Sequence, residues 1–324
     1  MKPKLLITRT TDPFLNLARE EWLLFHMREG ERMLYLWQNR RTVVIGRNQD
    51  AFAECDLAAL EEDGGFLARR LSGGGAVYHD LGNLNFTFLT RGARDVPRNL
   101  GVIRQAVAAF GIRAEISGRN DLTAGGAKFS GNAFFRSGDY DYHHGTLLVH
   151  TDLDALERYL TPNRQKLAAR GVASVRSRVT DLQSLAPSLT VPDLEEALAK
   201  AFGEAFGGEP ERLPESAAPE EELRALRGKY RSDAWRLRPA GADSWHSPVL
   251  RLEMGLCRLR LWEAEGLIRE ARLETDALDN EWSERTERAL TGMPFSREEV
   301  RRGLIKAGLD VLTPLAEGNF GKGK

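Results

Sequence analysis

Cysteine is scarce in this chain. Cys55 and Cys257 are the two in 324 residues, far apart and in no CxxC arrangement, a pattern that supports neither a disulfide framework nor a zinc site. Long apolar runs are missing as well, since no stretch approaches the roughly 18 residues needed to span a bilayer. The N-terminus MKPKLLITRTTD offers only a three-residue apolar run, too short for a signal-peptide core. A cytoplasmic location with no membrane attachment is the expectation. Charge of one sign is not in excess, 46 Lys and Arg standing against 47 Asp and Glu, which argues against an electrostatically driven nucleic-acid binder. No GxGxxG follows a strand and opens a helix, and no GxxxxGKS or GxxxxGKT occurs, so a dinucleotide-dependent dehydrogenase and a P-loop ATPase are both excluded.

What the chain does have is glycine in unusual company. Arg69 to Asn83 reads RRLSGGGAVYHDLGN. Three adjacent glycines weaken a helix or a strand alike, so the backbone there needs positive φ or lies against a ligand. GGAKFSGNAFF, from Gly125 to Phe135, sets a lone lysine among glycines, and HHGTLLVH, from His143 to His150, joins glycine to imidazoles and an apolar strand. Each alone reads equally well as a hairpin turn. Together they supply backbone N–H groups and cationic donors suited to an anionic ligand.

A hydrophobic fraction of 42% with 29% charged residues describes a globular protein with room for a large domain and a smaller one. Asp12-Pro13 opens a helix whose expected stop is Gly30. Strands follow at Met33 to Trp37 and Thr42 to Ile45, a helix at Cys55 to Asp63, and strands at Phe66 to Arg69 and Asn83 to Leu89 flank the glycine loop. Short links between strands require antiparallel pairing for most of the sheet. The expected fold is therefore α+β, a mixed and largely antiparallel sheet with flanking helices, plus a small α+β C-terminal domain. Helices are expected near Asn99 to Phe110, Asp152 to Leu160, Gln165 to Ala169 and Pro192 to Phe206. Gly207 to Glu222 concentrates Gly, Pro and acidic residues and reads as a linker. Beyond it, strands at Trp245 to Glu253, Leu256 to Glu263 and Leu267 to Glu274 precede helices at Glu281 to Leu290 and Arg297 to Ala307. The expected division is a catalytic domain at 1–235, an accessory domain at 236–318 and a disordered tail at 319–324.

The three glycine motifs, in this order and spacing, resemble the bacterial lipoate-protein ligases. The resemblance extends to the NLAREE helix (Asn16 to Glu21), LWQN and VVIGRNQD around Trp37 and Gly46, and KLAARGVASVRSRVTDL (Lys166 to Leu182). It implies a catalytic domain similar to that of biotin protein ligases and class II tRNA synthetases. It also implies a reaction in two halves: the carboxylate of lipoate attacks the α-phosphorus of Mg·ATP to give lipoyl-AMP, and the ε-amine of a lysine on a partner domain then takes the acyl group. The implied acceptors are the lipoyl domains of 2-oxoacid dehydrogenase complexes and the glycine cleavage H protein, with lipoate or octanoate as the acid.

That chemistry brings two anions together, so it needs cations and N–H dipoles fixed in advance. Lys128 suits the central role, bridging carboxylate and α-phosphate. Arg70 offers a bidentate guanidinium, and on strand parity it shares a side with Ser72 while Arg69 faces the other way. Gly75, Ala76, Val77 and Tyr78 would offer amides to phosphate, and Asn83 a further hydrogen bond. Asp121 is the candidate for holding Mg²⁺, with a turn role as the competing reading. His79 and Asp80 are read as ordering the loop or lining the pocket, because an ionised carboxylate needs no general base. His143 and His144, adjacent on a strand, point to opposite faces, so a zinc site is not expected. Leu17, Trp37, Val77 and His79 are candidates for the apolar lipoate pocket, alongside Arg70, Ser72 and Lys128 at its polar end; any of the four reads equally as core, and Leu17, on an amphipathic helix, more readily so. Arg176 and Arg178 belong to a stretch resembling the family's adenylate-covering loop.

Two rivals stand beside this reading. A transferase of the same fold would move an octanoyl group through a thioester without ATP, and needs a nucleophilic cysteine. The acidic neighbours Glu54 and Asp56 would raise the pKa of Cys55 and so disfavour it. The other rival is a non-catalytic lipoate binder. A biotin ligase is disfavoured because the GRGRRG-like basic loop is missing.

Overall fold

A computed structural model of the chain describes residues 1–117, 121–160, 179–238 and 244–317. By internal packing it divides into two compact units. The first comprises 1–44, 54–69 and 76–236, the second 45–53, 70–75 and 237–324.

Among the described residues, eleven strands belong wholly or mostly to the first unit: β1 (Lys4–Ile7), β2 (Arg32–Trp37), β3 (Thr42–Ile45), β4 (Phe66–Arg69), β5 (Val77–His79), β6 (Asn83–Arg91), β7 (Ala114–Ser117), β8 (Asp121–Ala124), β9 (Ala127–Ser137), β10 (Tyr140–Leu148) and β11 (Glu211–Leu213). Eight of them form one sheet in the order β11-β1-β2-β6-β10-β9-β8-β7, and β4-β3-β5 form a small second sheet. Among the described strands of the large sheet, β11-β1 and β1-β2 pair in parallel and the others antiparallel. This is the mixed, largely antiparallel sheet expected from the short strand links.

Strand alternation gives the large sheet two chemically different faces. On one, Leu34, Leu36, Leu84, Phe86, Phe88 and Leu147 join the apolar sides of helices Val96–Ala108 and Val191–Phe206 in the main core. Each fully buried Leu or Phe there contributes about 1.5–3 kcal/mol. The other face carries Trp37, Asn85, Thr87, His144 and Thr146, and helix Pro13–Phe25 covers it, backed in turn by helix Glu220–Arg231. Asp12 caps the covering helix, its carboxylate accepting from the amides of Phe14 and Leu15 at 2.9 and 3.2 Å.

Two sequence expectations need correction. The helix from Pro13 stops at Phe25, not near Gly30, because the chain turns over His26 and Met27, whose amides return to Leu23 and Leu24. Gly207 to Glu222 is not a bare linker: Glu211–Leu213 pairs with β1 as the edge of the large sheet, and a helix begins at Glu220. Acidic and proline-rich composition suits an exposed edge strand as well as it suits a tether. The expected helix at Gln165 to Ala169 and the tail beyond Glu317 lie outside the described residues.

In the second unit β12 (Ser244–His246), β13 (Leu250–Leu252), β14 (Gly255–Ala264) and β15 (Leu267–Thr275) form an antiparallel sheet centred on β14. Cys257, Leu259 and Leu261 alternate inward against Val300, Leu304 and Leu290 of helices Arg297–Lys306 and Glu281–Leu290. Two short segments pack onto this sheet's end: the Thr275 amide donates to the Asn48 carbonyl at 2.9 Å and the Gly74 amide to the Ala277 carbonyl at 2.8 Å.

Candidate functional site

The polar face of the large sheet is organised in rows, one residue from each strand. Asp121 faces Gly131 across β8 and β9. Gly145 faces Asn132 on β10, so Thr146 stands beside Gly131, whose amide donates to Thr146 Oγ1 at 3.2 Å. Thr146 faces Asn85, and Asn85 faces Trp37. One row thus runs Asp121, Gly131, Thr146, Asn85, Trp37 across five strands.

A break in register delivers Lys128 to that row. Leu122 faces Ser130, yet Thr123 faces Lys128, so Phe129 is the extra residue of a β-bulge. Uninterrupted alternation would put Lys128 on the face opposite Gly131. The bulge returns it to the Asp121 side and turns Phe129 into the apolar core, where it is fully buried. The lysine Nζ lies 2.8 Å from Asp121 Oδ1. Its side chain lies across Gly131, where an added Cβ would meet Nζ at 2.9 Å and Cε at 3.1 Å. Glycine at this position is what gives the ammonium its path over the sheet. Behind it, the Lys128 carbonyl accepts from the Thr180 amide at 2.9 Å.

The next row holds a buried polar network. Thr87 faces Tyr35 on one side and His144 on the other. Glu20 Oε1, on the covering helix, accepts from Thr87 Oγ1 at 2.7 Å and lies 2.8 Å from His144 Nδ1, while Trp37 Nε1 donates to Thr87 Oγ1 at 3.1 Å. Tyr35 donates to Asn16 Oδ1 at 3.0 Å, Asn16 Nδ2 to Asn39 Oδ1 at 3.0 Å, and Asn39 Nδ2 to His79 Nδ1 at 3.1 Å. The Trp37 and His79 rings meet edge to face, centroids 6.0 Å apart. Leu17 is buried on the covering helix. The adjacent histidines do split between faces. His143 lies on the core face, its ring held between Asn132 Oδ1 at 2.8 Å and Asn99 Nδ2 at 3.4 Å. Burial pushes its pKa down to about 3, with His144 and Arg94 adding to the effect.

Around β5, Val77 is half-buried and Tyr78 buried, its ring 5.4 Å from Tyr159. Asp80 orders the turn that follows, accepting from the Gly82 amide at 2.8 Å and the Asp152 amide at 2.7 Å. Burial raises its pKa, and those two amides oppose the rise. Asn83, at the start of β6, is fully buried and donates to Asn85 Oδ1 at 3.0 Å.

The second unit holds the first part of the glycine loop. Arg70 donates to Ser72 Oγ at 2.9 Å and to the carbonyls of Gly73 and Gly75 at 2.8 Å each. Its guanidinium ties the loop's own backbone. Gly73 has no room for a side chain because a Cβ would come within 2.3 Å of the Ala277 carbonyl, and Gly74 adopts φ of +89°. Close approach at Gly73 is therefore to protein backbone. Arg69, in the first unit, donates to the carbonyls of Trp235 and Arg236 at 3.0 and 2.9 Å. Arg176 and Arg178 lie outside the described residues.

Glu20 and Thr146, within the NLAREE and HHGTLLVH stretches, and Asn85 and Thr87, outside the glycine motifs, are residues of this face that the sequence reading did not single out. A signal was present: Asn16 and Glu20 are spaced i, i+4 on the buried side of an amphipathic helix, where a polar pair needs partners. Both cysteine thiols are pushed up, Cys55 to about 12 by burial and by Asp56, and Cys257 to about 11 by burial. Among the described residues no group of three or more His, Cys, Asp or Glu is disposed to hold a metal ion.

The model of the lipoyl protein ligase A/B catalytic domain matches residues 12–203. The lipoate-protein ligase A of Bdellovibrio bacteriovorus is 37% identical over 312 residues, spanning 94% of this chain and 92% of that protein. Among solved structures, P. falciparum LipL1 in complex with lipoate superposes with a TM-score of 0.81 at 27% identity, covering 96% of this chain and 98% of that one. A lipoate-protein ligase A bound with ATP gives 0.64 at 28% identity, over 73% and 99%. A bipartite archaeal lipoate protein ligase from Thermoplasma acidophilum, described with its E2 lipoyl domain, gives 0.65 at 28%, over 75% and 99%. A catalytic-domain match across more than half the chain, and a relative this similar along nearly all of it, place the protein in the lipoyl protein ligase A/B family of enzymes.

Proposed function

We propose that this ligase activates free lipoate, or octanoate, as the acyl-AMP and transfers the acyl group to a lysine of a lipoyl acceptor domain. The observation that carries the reading is Lys128, set by a β-bulge over Gly131 at one end of a row that leads to the buried Trp37. A cation at one end and an apolar ring at the other match a fatty acid with an ionised head.

In the first half-reaction a carboxylate oxygen attacks the α-phosphorus, a new O–P bond forms, and pyrophosphate leaves. Lys128 would draw the carboxylate and the α-phosphate together and stabilise charge that grows at phosphorus. Val77, Tyr78 and Asn83 are the proposed nucleotide contacts in this unit, with Ala76 leading into them. The acyl chain would follow the row toward Trp37, His79 and Leu17, each CH₂ removed from water contributing about 0.8 kcal/mol. In the second unit, Arg70 has the proposed role of fixing the Ser72-to-Gly75 backbone for substrate.

Asp121 would hold Mg²⁺. A single partly exposed carboxylate fits that ion's habit of taking one or two carboxylates together with substrate phosphates. When bound, the ion neutralises phosphate charge. The thioester alternative finds no support in the thiols, since an activated nucleophile has a depressed pKa, whereas both here are raised and buried. The proposed acceptors are lipoyl domains of 2-oxoacid dehydrogenase complexes and the glycine cleavage H protein. Incubating the chain with such a domain and measuring intact mass tests the reading. Amide-linked lipoate should appear only when lipoate, ATP and Mg²⁺ are all present; modification without ATP would overturn it.

A further inference from the structure

Asn83 and Asn85 share the site face at the start of β6 and are respectively 0% and 1% exposed. Asn83 Nδ2 donates to Asn85 Oδ1 at 3.0 Å, but Asn83 Oδ1 and Asn85 Nδ2 have no partner among the described residues. An unmet buried polar group is costly, so a leucine in place of Asn85 would serve packing better. Turning both carboxamides over leaves the same inventory of one free N–H group and one free carbonyl. The pair therefore holds a donor and an acceptor in reserve.

Its position says for what. Asn85 stands two strands from Gly131, about 10 Å by ordinary strand spacing, with Thr146 between them. The Lys128 ammonium lies over Gly131, at the far edge of that interval, beside Asp121. A carbonyl seated there would meet a cation from one side and a carboxamide from the other.

Resting on the ligase reading above, we infer that the Asn83–Asn85 pair contacts the reacting groups of the amide-forming step. Its free N–H donates to the acyl oxygen, and its free carbonyl accepts an N–H of the incoming lysine amine. In that step the amine nitrogen bonds to the acyl carbon and the carbonyl oxygen gathers negative charge. The C–O bond to the α-phosphate then breaks, AMP leaves with the electron pair, and the amine proton passes to the departing phosphate. A donor already in place stabilises the charge on oxygen, and an acceptor aligns the amine lone pair.

The test is single-turnover transfer from synthetic lipoyl-AMP to a lipoyl domain, with the wild-type chain, Asn85→Leu and the smaller Asn85→Ser. Transfer should fall about 100-fold in both variants, as when one oxyanion donor is lost. The melting temperature of Asn85→Leu should equal or exceed that of the wild type. Transfer within threefold of wild type in the variants would overturn the inference while leaving the ligase reading intact. A wild-type chain that transfers nothing would overturn both.

Discussion

Lys128 Nζ lies 2.8 Å from Asp121 Oδ1, and the two meet because one extra residue, Phe129, interrupts the pairing of β8 and β9. Strict alternation would leave the lysine facing the apolar core. The bulge spends a ladder position to aim a cation, a use of irregular strands seen beside active sites.

Gly131 keeps the path of that lysine clear, and Gly131→Ala should show it. The added Cβ would sit 2.9 Å from Nζ, so the flexible end of the side chain moves aside and the fold survives. Acyl transfer should drop by up to about 100-fold, the order expected when a catalytic group is displaced by about 1 Å, with a melting temperature close to wild type. Unchanged turnover would mean that the lysine's course over glycine is incidental.

Asp121→Asn separates the ion pair with Lys128 from the proposed Mg²⁺ role. Partly exposed pairs contribute about 0–1 kcal/mol, so thermal stability should barely change. The Mg²⁺ concentration for half-maximal pyrophosphate exchange should rise several-fold. An unaltered Mg²⁺ titration would assign Asp121 to Lys128 alone.

His143 sets an acid limit on stability. In the folded chain its pKa is about 3, against an ordinary value of 6.5. The unfolded chain therefore binds a proton that the native one refuses, and the stabilisation is complete above pH 6.5. It is lost as pH falls from 6.5 toward 3, by at most about 1.4 kcal/mol per pH unit. Urea titrations across that window should give a shallower slope for His143→Gln than for wild type. Parallel slopes would place the acid sensitivity elsewhere.

Cys55→Ser should leave acyl transfer within about twofold of wild type, because a buried thiol raised to about 12 is not a thiolate at neutral pH. Near-complete loss of transfer in a folded variant would revive a thioester route.

Much of this architecture was legible from residue order. Helix Pro13–Phe25 announced itself through Asp12-Pro13, and the antiparallel sheet through strand links too short for crossovers. The split of His143 and His144 followed from a period of two. The bulge was not legible, because nothing in GGAKFSGN marks which residue is the extra one; the register is set by packing Phe129 into the core. Glu20 escaped notice because its partners, Thr87 and His144, are distant in sequence. Glu211–Leu213 read as tether because an edge strand needs little apolar surface.

Lipoate-dependent exchange of labelled pyrophosphate into ATP, with no acceptor present, tests the central claim most directly. Wild-type exchange that is lost, by about 100-fold or more, in a folded Lys128→Ala chain is the expected result for an adenylating cation. Exchange that persists undiminished without the Lys128 ammonium would contradict the account.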